Sequence, residues 1–308
     1  MKFLKPKFWE QKKSFLAFFL LPISFVYQIL FFIKKRFTKV NSFEIPIICV
    51  GNIYVGGTGK TPLSILLAKE LVLHKRYPAI IKKYYKDQID EQGLIKDNFN
   101  AFFFHKSRIA AIQSAIEKNH NFIILDDGFQ DFSIKKDLNI LCFNSEQLAG
   151  NEMTLPSGPL REKLESINRA KIILINGRKN VDFENKIRAI SNNLKIYYSN
   201  YNPINIEEFK NKKILAFAGI GNPINFFKLL KKHNINLQKK IEFPDHYEFD
   251  KFEIQKIVDI SQEQDLQIVT TEKDFFRIKK YNFKNIKYLK LVLEIDNKED
   301  LINQLLKL

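Results

Sequence analysis

Residues Val50 to Thr61 read Val-Gly-Asn-Ile-Tyr-Val-Gly-Gly-Thr-Gly-Lys-Thr. Gly56, Gly57, Thr58 and Gly59 make a glycine-rich turn whose backbone N–H groups can wrap anionic oxygens. Lys60 supplies a cation that can reach the β- and γ-phosphates of a nucleotide, and the Thr61 hydroxyl can ligate Mg²⁺. The apolar run FEIPIICVGN precedes the turn and the helical pattern TPLSILLAKELVLHK follows it. A strand and a helix N-terminus are the context that a phosphate-binding loop needs. One position departs from the strict G-x4-G-K-[ST] spacing: Tyr54 stands where the first glycine is usual. A second segment, Phe122-Ile-Ile-Leu-Asp126-Asp127, is an apolar strand that ends in two acids. One of these carboxylates, Asp126 or Asp127, can hold Mg²⁺ directly or through water, beside the Thr61 hydroxyl. Together the two segments predict a site for a nucleoside triphosphate with Mg²⁺.

Positioning these groups takes a layered α/β scaffold. Short apolar strands (YPAIIKKYY, AFFFH, NFIILDD, LNILCFN, KIILING, KIYYSNY) alternate with helical patterns such as SRIAAIQSAIEKN. That alternation predicts a parallel sheet covered on both faces. The polar, proline-containing segment NYNPINIEEFKNKK precedes a second run of strands and helices. The expected division is an N-terminal helical segment at 1–37, a P-loop NTPase-like sheet domain at 38–202 and a second, smaller α/β domain at 203–308.

The chain has 308 residues, 45% of them hydrophobic and 27% charged, which excludes a disordered protein. Its 2 cysteines, Cys49 and Cys142, sit in apolar runs and exclude a disulfide scaffold or a Cys-x-x-Cys metal site. The net charge of +16 is spread along the chain, with no aromatic-plus-basic signature for RNA, so no nucleic-acid partner is expected. Ser14 to Ile33 carry no charge and are flanked by Lys12, Lys13, Lys34, Lys35 and Arg36. The stretch is long enough to cross a bilayer. Pro22 interrupts it, and Ser24, Tyr27 and Gln28 share one helical face, which fits a helix lying in the interface. Membrane contact is expected either way.

The motifs GNIYVGGTGKTP, DDGFQ, LPSGPLRE, FPDH and TTEKD occur in this order. With the apolar N-terminal helix, the set resembles the tetraacyldisaccharide 4′-kinases of lipid A biosynthesis, over nearly the whole chain. The resemblance implies an ATP- and Mg²⁺-dependent kinase. Its acceptor would be the 4′-hydroxyl of tetraacyldisaccharide 1-phosphate, a lipid A precursor, at the cytoplasmic face of the inner membrane. No obligate protein partner is implied. It further implies Asp90 as the base with Glu91 as helper, His246 as the base's partner, and Arg161, Glu162 and Gln130 near the reacting groups. The chain departs from the family pattern at Asp131, where the family carries His. It departs again at Lys83-Tyr84-Tyr85-Lys86, where the family carries Arg-Gly-Tyr-Gly.

Two rivals compete. One is a membrane-tethered P-loop GTPase or ATPase without a lipid acceptor, for which Asn297-Lys298-Glu299-Asp300 offers an N-K-x-D pattern. Its structural alternative is a helix start. The other is a non-catalytic membrane-associated protein with a degenerate nucleotide site, which intact Lys60, Thr61 and Asp127 oppose.

Overall fold

The computed structural model describes residues 6–84, 89–244 and 247–308, without the side chains of 89 and 90. The elements run α1 (Phe15–Phe19), α2 (Leu21–Phe37), β1 (Ile47–Gly51), α3 (Lys60–Leu73), β2 (Pro78–Lys83), α4 (Ile89–Asn98), β3 (Phe102–His105), α5 (Arg108–Glu117), β4 (Phe122–Asp126), β5 (Leu138–Asn144) and β6 (Ile172–Asn176). They continue with α6 (Val181–Ile190), β7 (Lys195–Pro203), β8 (Lys213–Ala218), α7 (Pro223–Lys232), β9 (Asn236–Glu242), α8 (Lys251–Glu263), β10 (Gln267–Thr271), α9 (Glu272–Ile278), β11 (Ile286–Leu289), β12 (Leu291–Ile295) and α10 (Lys298–Leu306).

The chain forms two compact units. The larger takes Lys5–Tyr84, Phe99–Asn200 and Leu293–Leu308; the smaller takes Tyr85–Asn98 and Tyr201–Val292. Compared with a single cut after residue 202, α4 therefore packs with the second unit and α10 with the first.

The larger unit is built on an eight-stranded sheet of order β12-β7-β6-β5-β1-β4-β2-β3. Every described pairing from β7 to β3 is parallel. β1, β4 and β6 are buried at every residue, as strands covered on both faces must be, and this explains their unbroken apolar runs. β1 has β4 on one side and β5 on the other, so the chain direction across the sheet reverses there. Such a reversal opens a crevice at the carboxyl ends of the strands, and the glycine-rich turn lies there.

The N-terminal stretch forms two helices rather than one long one. Pro22 sits in the first turn of α2, where its missing N–H costs nothing, so it starts the helix instead of breaking it. Among the described residues, no helix is long and apolar enough to cross a membrane. Ser24, Tyr27 and Gln28 face the protein. Ser24 Oγ lies 2.9 Å from the Thr154 carbonyl and 2.7 Å from Ser157 Oγ. Tyr27 donates to the Arg161 carbonyl at 2.9 Å, and Gln28 Nε2 donates to Thr154 Oγ1 at 2.8 Å. The outer face is apolar instead: Phe15, Phe18, Phe25, Ile29 and Phe32 are all exposed, Phe15 at 84%. The amphipathicity is inverted relative to an ordinary surface helix.

The smaller unit has a four-stranded parallel sheet, β11-β10-β8-β9. α8 begins in a capping box, Asp250 with Glu253. The TTEKD segment starts α9. Its Asp274, fully buried, accepts from the Gly219 N–H at 2.9 Å, Thr271 Oγ1 at 2.7 Å and Arg277 at 2.6 Å. α4 packs on α9: the Phe276 ring lies 3.6 Å from the place of a Gly93 Cβ, and Lys279 pairs with Asp97 at 3.3 Å.

Candidate active site

The carboxyl end of β1 delivers Gly51, where a Cβ would come within 2.5 Å of the Phe129 Cβ; close approach requires glycine there. Gly56 (φ 128°) and Gly59 (φ 86°) take left-handed conformations that side chains rarely adopt. Asn52, buried, donates to the Gly56 carbonyl at 3.2 Å and to Thr58 Oγ1 at 3.0 Å. From the other side Asn176 donates to the Thr58 carbonyl and Ser199 donates to Asn176. The turn is thus held closed by side chains, while Gly57 faces open space. Tyr54 is buried and bridges to Leu160, so the position that departs from the strict spacing serves packing. Burial pushes its phenol well above the ordinary value.

The LPSGPLRE segment runs alongside. Val55 N–H donates to the Pro159 carbonyl at 2.9 Å and Arg161 N–H to the Ile53 carbonyl at 2.7 Å. This brings Arg161 over the acidic pair. Its guanidinium lies 3.0 Å from Asp127 Oδ1, with Lys60 Nζ at 3.7 Å from the same oxygen. Asp127 sits at φ 55°, an uncommon conformation for a residue with a side chain. It is pinned by its own N–H to the Val50 carbonyl at 2.9 Å and by Arg108, which donates to its carbonyl at 2.7 Å. Gln130 Nε2 ties the Asn52 carbonyl (2.9 Å) to Glu162 (3.0 Å), and Arg169 closes the far side of Glu162.

Asp126 has a different environment. It is fully buried; its Oδ2 accepts from Thr61 Oγ1 at 3.0 Å and from Lys82 Nζ at 2.7 Å, and its Oδ1 accepts from Ser64 at 3.1 Å. A buried carboxylate persists only when paired and hydrogen-bonded in this way. Among the described residues no three His, Cys, Asp or Glu side chains converge as a metal cage. The arrangement instead suits a cation held by one hydroxyl, one or two carboxylates, phosphates and water, the usual habit of Mg²⁺. An open glycine, the N-terminus of α3, Lys60 and Thr61 fit a triphosphate with that cation.

Lys60, Thr61, Asp126, Asp127, Gln130, Arg161 and Glu162, all expected from sequence, meet in the larger unit. Glu91 lies on α4 in the smaller unit and pairs with Lys273 at 3.1 Å. The Asp90 side chain and His246 lie outside the described residues. Lys82, Ser64, Asn176 and Arg108 were not expected. Only Lys82 left a trace in the sequence, as a charge inside the apolar strand PAIIKK; its partner becomes visible in the β2–β4 register, which sets Lys82 opposite Asp126. Asp131, which replaces the family His, pairs with Arg108 at 3.0 Å and accepts from Ser133, so it anchors its loop. Cys49 and Cys142 are buried thiols, raised to about 11 and about 12 by burial, and offer no thiolate chemistry.

The sequence pattern described as tetraacyldisaccharide-1-P 4′-kinase matches residues 16–308. A tetraacyldisaccharide 4′-kinase of Pelagibacter ubique is 39% identical, covering 100% of this chain and 99% of its own. That of Rickettsia africae is 32% identical, covering 99% and 98%. A crystal structure of LpxK from Aquifex aeolicus in complex with ATP has a TM-score of 0.73 at 24% identity, covering 95% of this chain and 99% of its own, and so shares the fold.

Proposed function

This chain belongs to the tetraacyldisaccharide-1-P 4′-kinase family, and on that premise we propose how its residues carry the activity. The protein is an ATP-dependent kinase that phosphorylates the 4′-hydroxyl of tetraacyldisaccharide 1-phosphate in lipid A biosynthesis. The observation that carries this reading is the cluster of Lys60, Thr61, Asp126, Asp127 and Arg161 at the ends of β1 and β4.

Bound Mg-ATP supplies the phosphoryl group and neutralises its developing charge. The turn from Gly56 to Gly59 and the α3 N-terminus hold the phosphates, and Lys60 reaches toward the β- and γ-positions. Thr61 and Asp127 hold Mg²⁺. Asp126, already saturated by Thr61, Ser64 and Lys82, orients the Thr61 hydroxyl. Arg161 clamps the transferred group with its planar fork, and Gln130 and Glu162 keep its loop in register. Asp90 takes the proton of the 4′-hydroxyl as its oxygen bonds to phosphorus and ADP departs. His246 tunes Asp90, and Glu91, tied to Lys273, fixes the first turn of the helix that carries it. The larger unit is the kinase domain, and α4, on which Asp90 lies, belongs to the smaller unit.

The acceptor carries acyl chains, and the exposed apolar face of α1 and α2 suits a lipid surface. Lys12, Lys13, Lys34, Lys35 and Arg36 add attraction to anionic headgroups. We assign the protein on this basis to the cytoplasmic face of the inner membrane.

The N-K-x-D segment does not support a GTPase. Lys298 pairs with Glu70, and Asp300 pairs with Lys195 and accepts from Tyr197, so these side chains dock α10. The deciding assay is transfer of labelled γ-phosphate from Mg-ATP to detergent-dispersed tetraacyldisaccharide 1-phosphate, with a parallel GTP reaction and an acceptor-free control. ATP-dependent labelling of the lipid is the expected result. Nucleotide hydrolysis without lipid labelling would overturn the reading.

A further inference from the structure

Lys82 has no part in the chemistry described so far, yet it is among the most deeply buried charged side chains described, at 2% exposure. Its ammonium lies 2.7 Å from Asp126 Oδ2, the oxygen that also accepts the Thr61 hydroxyl proton. Register fixes the pair, because β2 sets Lys82 opposite Asp126 in a fully parallel stretch of the sheet. The two acids at the end of β4 are thus balanced separately. Lys60 and Arg161 face Asp127, while Lys82 faces Asp126 from within the core. Among the described residues, each of the two carboxylates thus has a cation of its own before any metal arrives.

We propose that Lys82 is a positioning residue that serves as a resident countercharge at the metal pole of the phosphate loop. It cancels Asp126 and holds Thr61 aligned, so that the nucleotide binds even without a divalent cation. The proposal rests on the reading of this loop as a nucleotide site. Its physical basis is simple. Without Lys82 the buried Asp126 charge would repel the incoming phosphates until Mg²⁺ compensated it. Lys82 acts through Asp126 and does not touch the phosphates.

The test is direct binding of the non-hydrolysable analogue β,γ-imido-ATP to the full-length protein, measured with Mg²⁺ and with EDTA. A thermal unfolding scan of each variant establishes that it is folded. For Lys82→Met the affinity in EDTA falls by about tenfold or more below wild type, while the affinity in Mg²⁺ stays within about threefold. The double variant Lys82→Met/Asp126→Asn removes both charges and returns the EDTA affinity to within about threefold of wild type. That variant also carries the test if Lys82→Met alone does not fold. An unchanged metal dependence in Lys82→Met overturns the proposal. So does a double variant that stays about tenfold weak in EDTA, since Lys82 would then act on the phosphates themselves. Wild-type protein that binds no nucleotide even with Mg²⁺ would overturn the nucleotide-site reading instead, and the proposal with it.

Discussion

Asp126 and Asp127 are neighbours in sequence and opposites in setting. One is sealed beneath Thr61, Ser64 and Lys82; the other stands at φ 55° between Lys60 and Arg161. The same contrast runs through Asp131. Burial pushes its carboxyl up, but hydrogen bonds from Ser133 and the Arg108 charge outweigh this and hold it below the ordinary aspartate value of 3.8. A lowered native value means that the Arg108–Asp131 pairing stabilises the fold fully above the ordinary value. The contribution is lost as pH falls through the lowered one. Asp131→Asn should therefore cost about 1–3 kcal/mol at pH 7, since Arg108 stays buried without its charge partner. Urea midpoints of the two proteins should converge on acidification below the ordinary value. With Asp90 as the proposed base, Asp90→Ala should slow phosphoryl transfer by about 10²–10⁴-fold while the affinity for the ATP analogue stays near wild type. Single-turnover kinetics beside direct binding separate the two; near-normal turnover removes Asp90 as the base.

At the scale of elements, α2 shows how one pattern admits two orientations. Its polar stripe reads equally as a face for water and as a face for carbonyl partners, and the structure uses it for the latter. Ser24 is central: besides its contacts to Thr154 and Ser157 Oγ, it accepts the Ser157 N–H at 3.0 Å. Ser24→Val should cost about 1–3 kcal/mol by leaving buried groups unpaired, measured by chemical denaturation. The outer face should behave in the reverse way. Changing Phe25, Ile29 and Phe32 together to Ser removes exposed apolar area, so the melting temperature should hold while affinity for anionic lipid vesicles drops by about tenfold or more. Point changes of this kind are cleaner than deleting the helix. Deletion would also unseat the loop that carries Arg161, whose carbonyl holds Tyr27. Equal vesicle affinity of the two proteins would take the lipid surface away from α2.

Over the whole molecule, the two compact units are not consecutive pieces of chain. α10 returns from the end of the sequence to pack against α3, the helix that begins at Lys60. Leu301, Ile302 and Leu305 are buried there. Leu301→Ala should cost about 2–5 kcal/mol, the usual range for a truncated core leucine, and should be felt as weaker retention of the ATP analogue on heating. A calorimetric scan with and without the analogue measures both effects. α4 makes the opposite exchange and is gripped by α9 through Glu91–Lys273 and Asp97–Lys279.

Sequence alone determined the parallel α/β class, the phosphate loop and its acids, because each depends on local order: a strand, a glycine turn, a helix start, an apolar run ending in aspartate. Hydrophobic periodicity and backbone freedom are properties of neighbours along the chain. Tertiary structure decided what depends on register and return of the chain. Lys82 acquired its role only when β2 was laid beside β4, and Asn176 only when β6 reached the phosphate turn. The N-K-x-D segment lost its apparent meaning when Lys298 and Asp300 found Glu70 and Tyr197. A side chain's chemistry is written in its type, but its partner is set by pairing between segments distant in sequence. No local pattern encodes that pairing, because its free energy comes from burial shared across the whole sheet.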